Sequence, residues 1–391
     1  MRWALTILVL VAAVSAPAGI PPGFDHFYNL EYDEALRIFE QESAANPSDP
    51  DLHNHIAQTL VFREMLRVGA LESEMVSRNN PFLRRPNMNP SPEVAHEFEA
   101  QLSTSMSLCR ARLAKDPRDW RALYALGVAY GLRANYEWLV RKAWYDALRD
   151  ATTARRLHAK AVDVDPQFTD GYLVLGVHNY LIGSLPWRYR ILGFLAGIHG
   201  DRATGIAQLK MVAEKGDMNR YDARVFLAAI YRREHRYQEA IPLVEGLATT
   251  FPRDYLFRLE LALLYQDVGE NDKAMAELDA VEAIKRSGSQ EFASLPMAKI
   301  NYYKGTVFFW SGQRDRALAE FQEAVKSPGL DLNAEVMSWM RLGQIYDLMP
   351  DRGKAVQAYQ KAVALAPDSD PGREAKGYLR SPYRGQLSEG S

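Results

Sequence analysis

The feature that most constrains this chain is a set of small and aromatic residues at fixed spacing near its C-terminus. In order they are Trp339, Leu342, Gly343, Tyr346, Ala355, Tyr359, Ala362 and Pro367. Their pattern, W-x2-L-G-x2-Y…A-x3-Y-x2-A-x4-P, predicts two antiparallel helices. Gly343 and Ala355 are small where the helices touch, and the aromatic residues fill the space between neighbouring units. Pro367 ends the second helix, because it lacks an N–H and clashes with the preceding turn.

This spacing resembles the tetratricopeptide repeat (TPR), a helix pair of about 34 residues. The same register recurs upstream. Its markers are Leu123, Leu126, Gly127 and Tyr130; Tyr172, Leu175 and Gly176; Leu227, Ala228, Tyr231, Ala240 and Pro252; Leu261, Ala262, Tyr265 and Ala274; and Gly305, Phe308, Ala317, Phe321 and Ala324. The sequence therefore predicts an all-α, TPR-type solenoid, a right-handed superhelix of about eight helix pairs. No sustained period-two alternation indicates strands.

The units are not equally regular. Residues 221–369 hold regular units, whereas residues 19–220 are predicted to hold degenerate units with three inserts. The inserts are a Pro- and Asn-rich loop at 69–92, an extension at 131–153 and an apolar segment at 180–200. Residues 370–391 are predicted to form a capping helix and tail, because terminal repeats need a polar outer face.

The apolar insert also resembles a named family. The segment NYLIGSLPWRYRILGFLAGIHGDRATGIAQLKMVAEKG is similar to a region of the tetratricopeptide repeat protein 39 and inclusion-body clearance family. The matching residues are Ser184, Leu185, Pro186, Leu192, Gly193, Phe194, Gly200, Asp201, Arg202, Gly205, Leu209, Ala213 and Gly216. The resemblance covers roughly residues 170–270 and implies a helical scaffold with a shared insert.

The N-terminus predicts export. Arg2 is followed by an apolar run over residues 3–14 and by Ala16-Pro17-Ala18, the order of a secretory signal peptide. We therefore expect residues 1–18 to be removed and the protein to be periplasmic or secreted; a retained anchor is the alternative. Cys109 is the only cysteine, so no internal disulfide is expected.

Composition and motifs argue against several functions. The formal net charge is −2, whereas a nucleic-acid-binding domain usually has a strongly basic face, so nucleic acid is not an expected partner. The histidines and the cysteine show no zinc spacing, and no H-E-x-x-H, G-x-S-x-G or P-loop motif occurs. The sequence predicts no enzyme activity, catalytic residue, metal or cofactor.

The repeat register suggests a binding surface instead. TPR arrays usually bind peptides along the concave face formed by their first helices, and inward-facing positions follow from the register. The candidate partner-binding residues are Arg232, Arg233, Asp267, Tyr302, Phe309 and Trp310. The leading prediction is an exported, non-enzymatic scaffold that binds another protein or peptide in the cell envelope. The alternative is a carrier or sensor of an apolar ligand or lipid that uses residues 180–198, with weak membrane contact also open.

Overall fold

The computed structural model describes residues 20–68, 71, 88–187, 199–289 and 292–385, and every regular element in those ranges is a helix. The seventeen α-helices of those ranges fall into two halves. The first half contains α1 (Pro22–Tyr28), α2 (Tyr32–Ala45), α3 (Pro50–Arg67), α4 (Pro92–Lys115), α5 (Trp120–Tyr136), α6 (Trp144–Val164), α7 (Tyr172–Gly183) and α8 (Arg202–Lys215). The second contains α9 (Arg220–Arg233), α10 (Tyr237–Thr250), α11 (Tyr255–Asp267), α12 (Asn271–Arg286), α13 (Met297–Trp310), α14 (Arg314–Lys326), α15 (Leu332–Leu348), α16 (Arg352–Leu365) and α17 (Asp370–Arg380).

Consecutive helices pack as pairs, from α1 with α2 to α15 with α16, and α17 packs against the last pair. These eight pairs confirm the prediction of an all-α solenoid of the TPR type. First helices of successive units also contact each other, as α11 does α13 and α13 does α15. We therefore place the first helices on the inner side of the curve.

Local sequence sets the helix ends. At the junction of units two and three, Pro117 follows the end of α4, and the carboxylate of Asp119 accepts a hydrogen bond from the N–H of Ala122 at 3.0 Å. Asp201 caps α8 in the same way, through the N–H of Thr204 at 2.7 Å. Each carboxylate satisfies an N–H that the first helical turn would leave without a partner.

Small residues bring paired helices together, as the repeat pattern predicts. A Cβ atom on Gly343 would lie 2.6 Å from Cδ1 of Tyr359, which fills the space between α15 and α16. A Cβ atom on Gly205 would lie 2.5 Å from the backbone nitrogen of Tyr180, so α7 and α8 touch through their backbones. Neither position has room for a side chain.

The third unit is interrupted where its two helices meet. Helix α5 continues into a π-helical turn at Glu137–Arg141, and Lys142 then has a φ of 53° before α6 begins. Trp144 and Tyr145 at the start of α6 are exposed. The residues from 131 to 153 are therefore two helix ends joined by a tight reversal.

The N-terminal unit folds back onto the fifth and sixth units. The ring of Tyr28 lies 5.6 Å from that of Tyr221 and 4.9 Å from that of Phe251, measured between centroids. Arg253 lies in the loop before α11. It donates hydrogen bonds to Asp25 in α1 and to Glu31, which follows α1. The first unit thus contacts units that are distant from it in the chain.

Several predicted segments lie outside the described residues. These are the signal peptide at 1–18, most of the loop at 69–92, residues 188–198 of the apolar insert and the end of the tail from 386. Within the described ranges, none of the helices combines the length and the apolar character that crossing a membrane requires.

Candidate binding surface

The predicted surface lies on the first helices of units five to seven, α9, α11 and α13. An ion-pair cluster joins the first two of these helices. Nη1 of Arg232 lies 2.8 Å from Oε2 of Glu260, and its Nε lies 3.4 Å from Oδ2 of Asp267. Burial raises the pKa of Asp267, and the adjacent Arg232 opposes that rise. Arg232 and Asp267 therefore form one half-buried site, and the neighbouring Arg233 is exposed.

The second part of the surface is aromatic and lies at the end of α13. The rings of Phe309 and Trp310 meet edge to face, with centroids 5.2 Å apart. The guanidinium carbon of Arg341, on α15, lies 4.8 Å from both centroids. Phe309 is buried, whereas Trp310 is 47% exposed. This arrangement holds an indole ring in a fixed orientation at the surface by cation–π contact.

Tyr302 does not belong to this surface. It is only 1% exposed, and its ring packs against Tyr303 and Phe321 at centroid distances of 5.2 and 6.3 Å. Phe321 belongs to α14, the second helix of the same unit, which closes over that side of α13. Tyr302 is a core residue in this structure. Of the other five predicted residues, Phe309 is also buried, whereas Arg232, Arg233, Asp267 and Trp310 are half-buried or exposed.

Sequence reasoning missed three residues at this surface. Arg341 is one of them, and the exposed Val225 and Phe226 on α9 are the others. Val225 precedes Arg232 by seven residues, and Phe226 precedes Arg233 by seven, so each pair shares a helix face. This seven-residue spacing was the sequence signal that could have identified Val225 and Phe226.

The described part of the apolar insert lies elsewhere. Tyr180 is buried, but Leu181 and Leu185 are exposed and Trp187 is 68% exposed. An open cleft of ≈ 570 Å³ is lined by other residues, between the end of α3 and residues 89–94. Its lining includes Glu64, Arg67, Pro90 and Pro92, so it is not an apolar cavity formed by the insert.

Burial holds two histidines and the cysteine in their neutral forms. Burial lowers the pKa of His55 and of His158 to about 4. Burial also raises the pKa of the Cys109 thiol to about 12, so at neutral pH the sulfur is a protonated thiol. The residues placed by the structure contain no cluster of three or more potential metal-ligating side chains.

Comparison with known proteins bears on the repeats. Two tetratricopeptide repeat models match the chain, one over residues 231–300 and one over residues 338–369. No curated protein sequence matches it.

Solved structures with a similar arrangement include the APC/C hetero-tetramer Cut9–Hcn1, yeast Tom70 and Pseudomonas aeruginosa pilF. The first is 14% identical with a TM-score of 0.49, and the alignment covers 90% of this chain and 53% of that one. Tom70 is 12% identical, with a TM-score of 0.44 and coverages of 92% and 86%. The pilF structure is 14% identical with a TM-score of 0.40, and the alignment covers 67% of this chain and 99% of that one. This chain therefore spans about half the length of the first of these. Together with the helix pairs described above, the two matched segments identify this protein as an all-α solenoid that contains tetratricopeptide repeats.

Proposed function

We propose that this protein is an exported, non-enzymatic scaffold whose concave face binds a segment of another protein at units five to seven. Tetratricopeptide repeats generally serve as protein-interaction scaffolds, and stacked repeats create extended concave binding surfaces. The matched repeats at residues 231–300 and 338–369 support this general role.

One observation carries the choice of surface. Trp310 is half exposed beside Phe309 while Arg341 from the next unit fixes its ring. Trp, Tyr and Arg are the residue types enriched at binding hot spots, and this pair presents two of them together. Arg233 and Phe226 extend the surface along α9.

Site-specific photo-crosslinking tests the surface. A photoreactive phenylalanine analogue replaces Phe226 or Trp310, and the matched control replaces Leu365, an exposed residue at the end of the second helix α16. We expect positions 226 and 310, but not position 365, to give the same crosslinked protein in cell-envelope material. Equal crosslinking at all three positions, or none at positions 226 and 310, would contradict the proposal.

Export is the second element of the proposal, and it rests on the sequence of residues 1–18. We expect the mature chain to begin near Gly19 outside the cytoplasm. N-terminal sequencing of the fractionated protein measures this directly. An intact Met1 on a cytoplasmic protein would refute export and leave the binding surface untouched.

An apolar-ligand carrier is the second candidate, because Leu181, Leu185 and Trp187 are exposed on the described part of the insert. Native mass spectrometry of the purified protein separates the two candidates, since only a carrier retains lipid. Residues 170–270 resemble a region of the tetratricopeptide repeat protein 39 and inclusion-body clearance family. We propose on that basis that this chain shares a helical scaffold and an insert with that family.

A further inference from the structure

The chain returns over its last units after α17. The backbone N–H of Tyr383 donates to Oδ2 of Asp347 at 2.8 Å. Its ring lies 6.5 Å from the ring of Phe309 and 5.4 Å from that of Tyr378, between centroids. Residues 381–385, here called the tail segment, therefore lie across the ends of α13 and α15. Phe309 is one of the residues that the repeat register assigns to the partner-binding surface.

Asp347 is a preformed acceptor. Its side chain is only 1% exposed, and it also accepts hydrogen bonds from Nη1 of Arg352 at 3.0 Å and from the hydroxyl of Tyr359 at 2.9 Å. These partners hold the carboxylate in one orientation on the solenoid itself. Oδ2 is thus ready to accept a backbone N–H, and N–H donors bind an ionised acceptor more strongly than a neutral one.

The tail segment is mostly exposed. Tyr383 is half-buried, whereas Ser381, Pro382, Arg384 and Gly385 are exposed. Tyr383 anchors the segment through its backbone N–H and its ring, and the segment has no helix or strand geometry of its own. Its release therefore requires no helix to unfold.

We propose that Phe309, Asp347 and Tyr378 form a binding site for a short tyrosine-bearing peptide segment, and that the tail segment occupies this site in cis. This inference rests on the proposed function, because Phe309 belongs to both surfaces, and it names the chemistry of the partner. The partner segment supplies an aromatic side chain for Phe309 and a backbone N–H for Asp347. It must displace Tyr383 to do so.

The tether determines how strongly the tail segment weakens the binding of a free peptide. A segment joined by a short flexible linker has an effective concentration in the millimolar range. A free peptide that binds the open site with a dissociation constant of about 100 μM therefore binds the closed site about 10-fold more weakly. Release of Tyr383 should remove that difference.

A labelled synthetic peptide of residues 381–391 tests the inference on the full-length chain. We expect it to bind the Tyr383→Ala chain about 10-fold more tightly than the unaltered chain. Arg384→Ala is the matched control, because Arg384 is exposed and neighbours Tyr383; it should bind like the unaltered chain. A peptide with Ala at the tyrosine position should not bind.

A second variant guards against a local effect of residue 383. In it, residues 381–385 are replaced by Gly and Ser, and the peptide should again bind about 10-fold more tightly. Equal peptide affinity for all chains, or no binding to either opened chain, would overturn the inference. This assay uses no outside partner, so its failure leaves the crosslinking test of the proposed function intact, and the reverse also holds.

Discussion

Arg253 and Glu31 are 222 positions apart in the chain, yet Nε of Arg253 donates to Oε1 of Glu31 at 2.9 Å. The same guanidinium donates to Oδ2 of Asp25 at 2.7 Å, and the N–H of Arg253 donates to the side chain of Asn29 at 2.9 Å. Together with the packing of Tyr28 on Phe251, these contacts join the first unit to the fifth and sixth. A solenoid whose units touched only their neighbours would contain none of them.

The first prediction concerns this closure. Arg253→Met should lower the free energy of unfolding by about 1–3 kcal/mol, because it removes the guanidinium from which both Asp25 and Glu31 accept charge-assisted hydrogen bonds. Arg37→Met is the matched control, since the pair of Arg37 and Glu34 is exposed and solvent screens it, so its loss should be the smaller one. Denaturant unfolding measures both. Equal losses would show that the contact between distant units adds no more stability than an exposed ion pair does.

The second prediction concerns the closest helix pair. Gly343→Ala should lower the free energy of unfolding by about 1–3 kcal/mol, because its Cβ would overlap the Tyr359 ring. Gly343→Leu should cost more. Gly246→Ala is the control, because that helical glycine has nothing within 4 Å and alanine favours a helix by about 1 kcal/mol.

Hydrogen exchange locates the effect of the Gly343 substitutions. Stability in a repeat array is nearly a sum over units and their interfaces, so the loss of protection should fall mainly on α15, α16 and α17. A uniform loss from the first unit to the last would contradict a local overpacking effect.

The sequence determined the helix pairing because its signals are local. Gly343 and Tyr359 lie in one repeat, and their spacing fixes which faces meet. The contact of Arg253 with Glu31 was not predictable in this way, because it depends on small rotations summed over five units. Tyr302 shows a related limit: the register predicts an inward-facing, partner-binding position, whereas in the structure Tyr303 and Phe321 bury the ring.

The third prediction concerns pH. Burial raises the pKa of Asp254, the residue that caps α11, to about 8, against about 3.9 in an unfolded chain. The folded state therefore binds more protons than the unfolded state between these values. The stabilising contribution of the protonated carboxyl is complete below pH 4 and is lost as the pH rises toward 8.

Asp254→Asn isolates this contribution, because asparagine keeps a capping oxygen without the titration. The variant should gain stability relative to the unaltered chain as the pH rises from 5 to 8, by at most about 1.4 kcal/mol per pH unit. Denaturant unfolding at several pH values measures the difference. A difference that does not change with pH would mean that Asp254 titrates normally in the folded protein.

The most direct test of the binding surface is Trp310→Ala, because the indole is half exposed and its removal leaves Phe309 in the core. Once a partner is known from crosslinking, we expect this variant to weaken its capture by about 2 kcal/mol or more while the melting temperature stays nearly unchanged. Leu365→Ala, on the second helix α16, should capture the partner normally. If Trp310→Ala instead loses several degrees of melting temperature and captures the partner as well as the unaltered chain does, Trp310 is a packing residue and the concave-face account is contradicted.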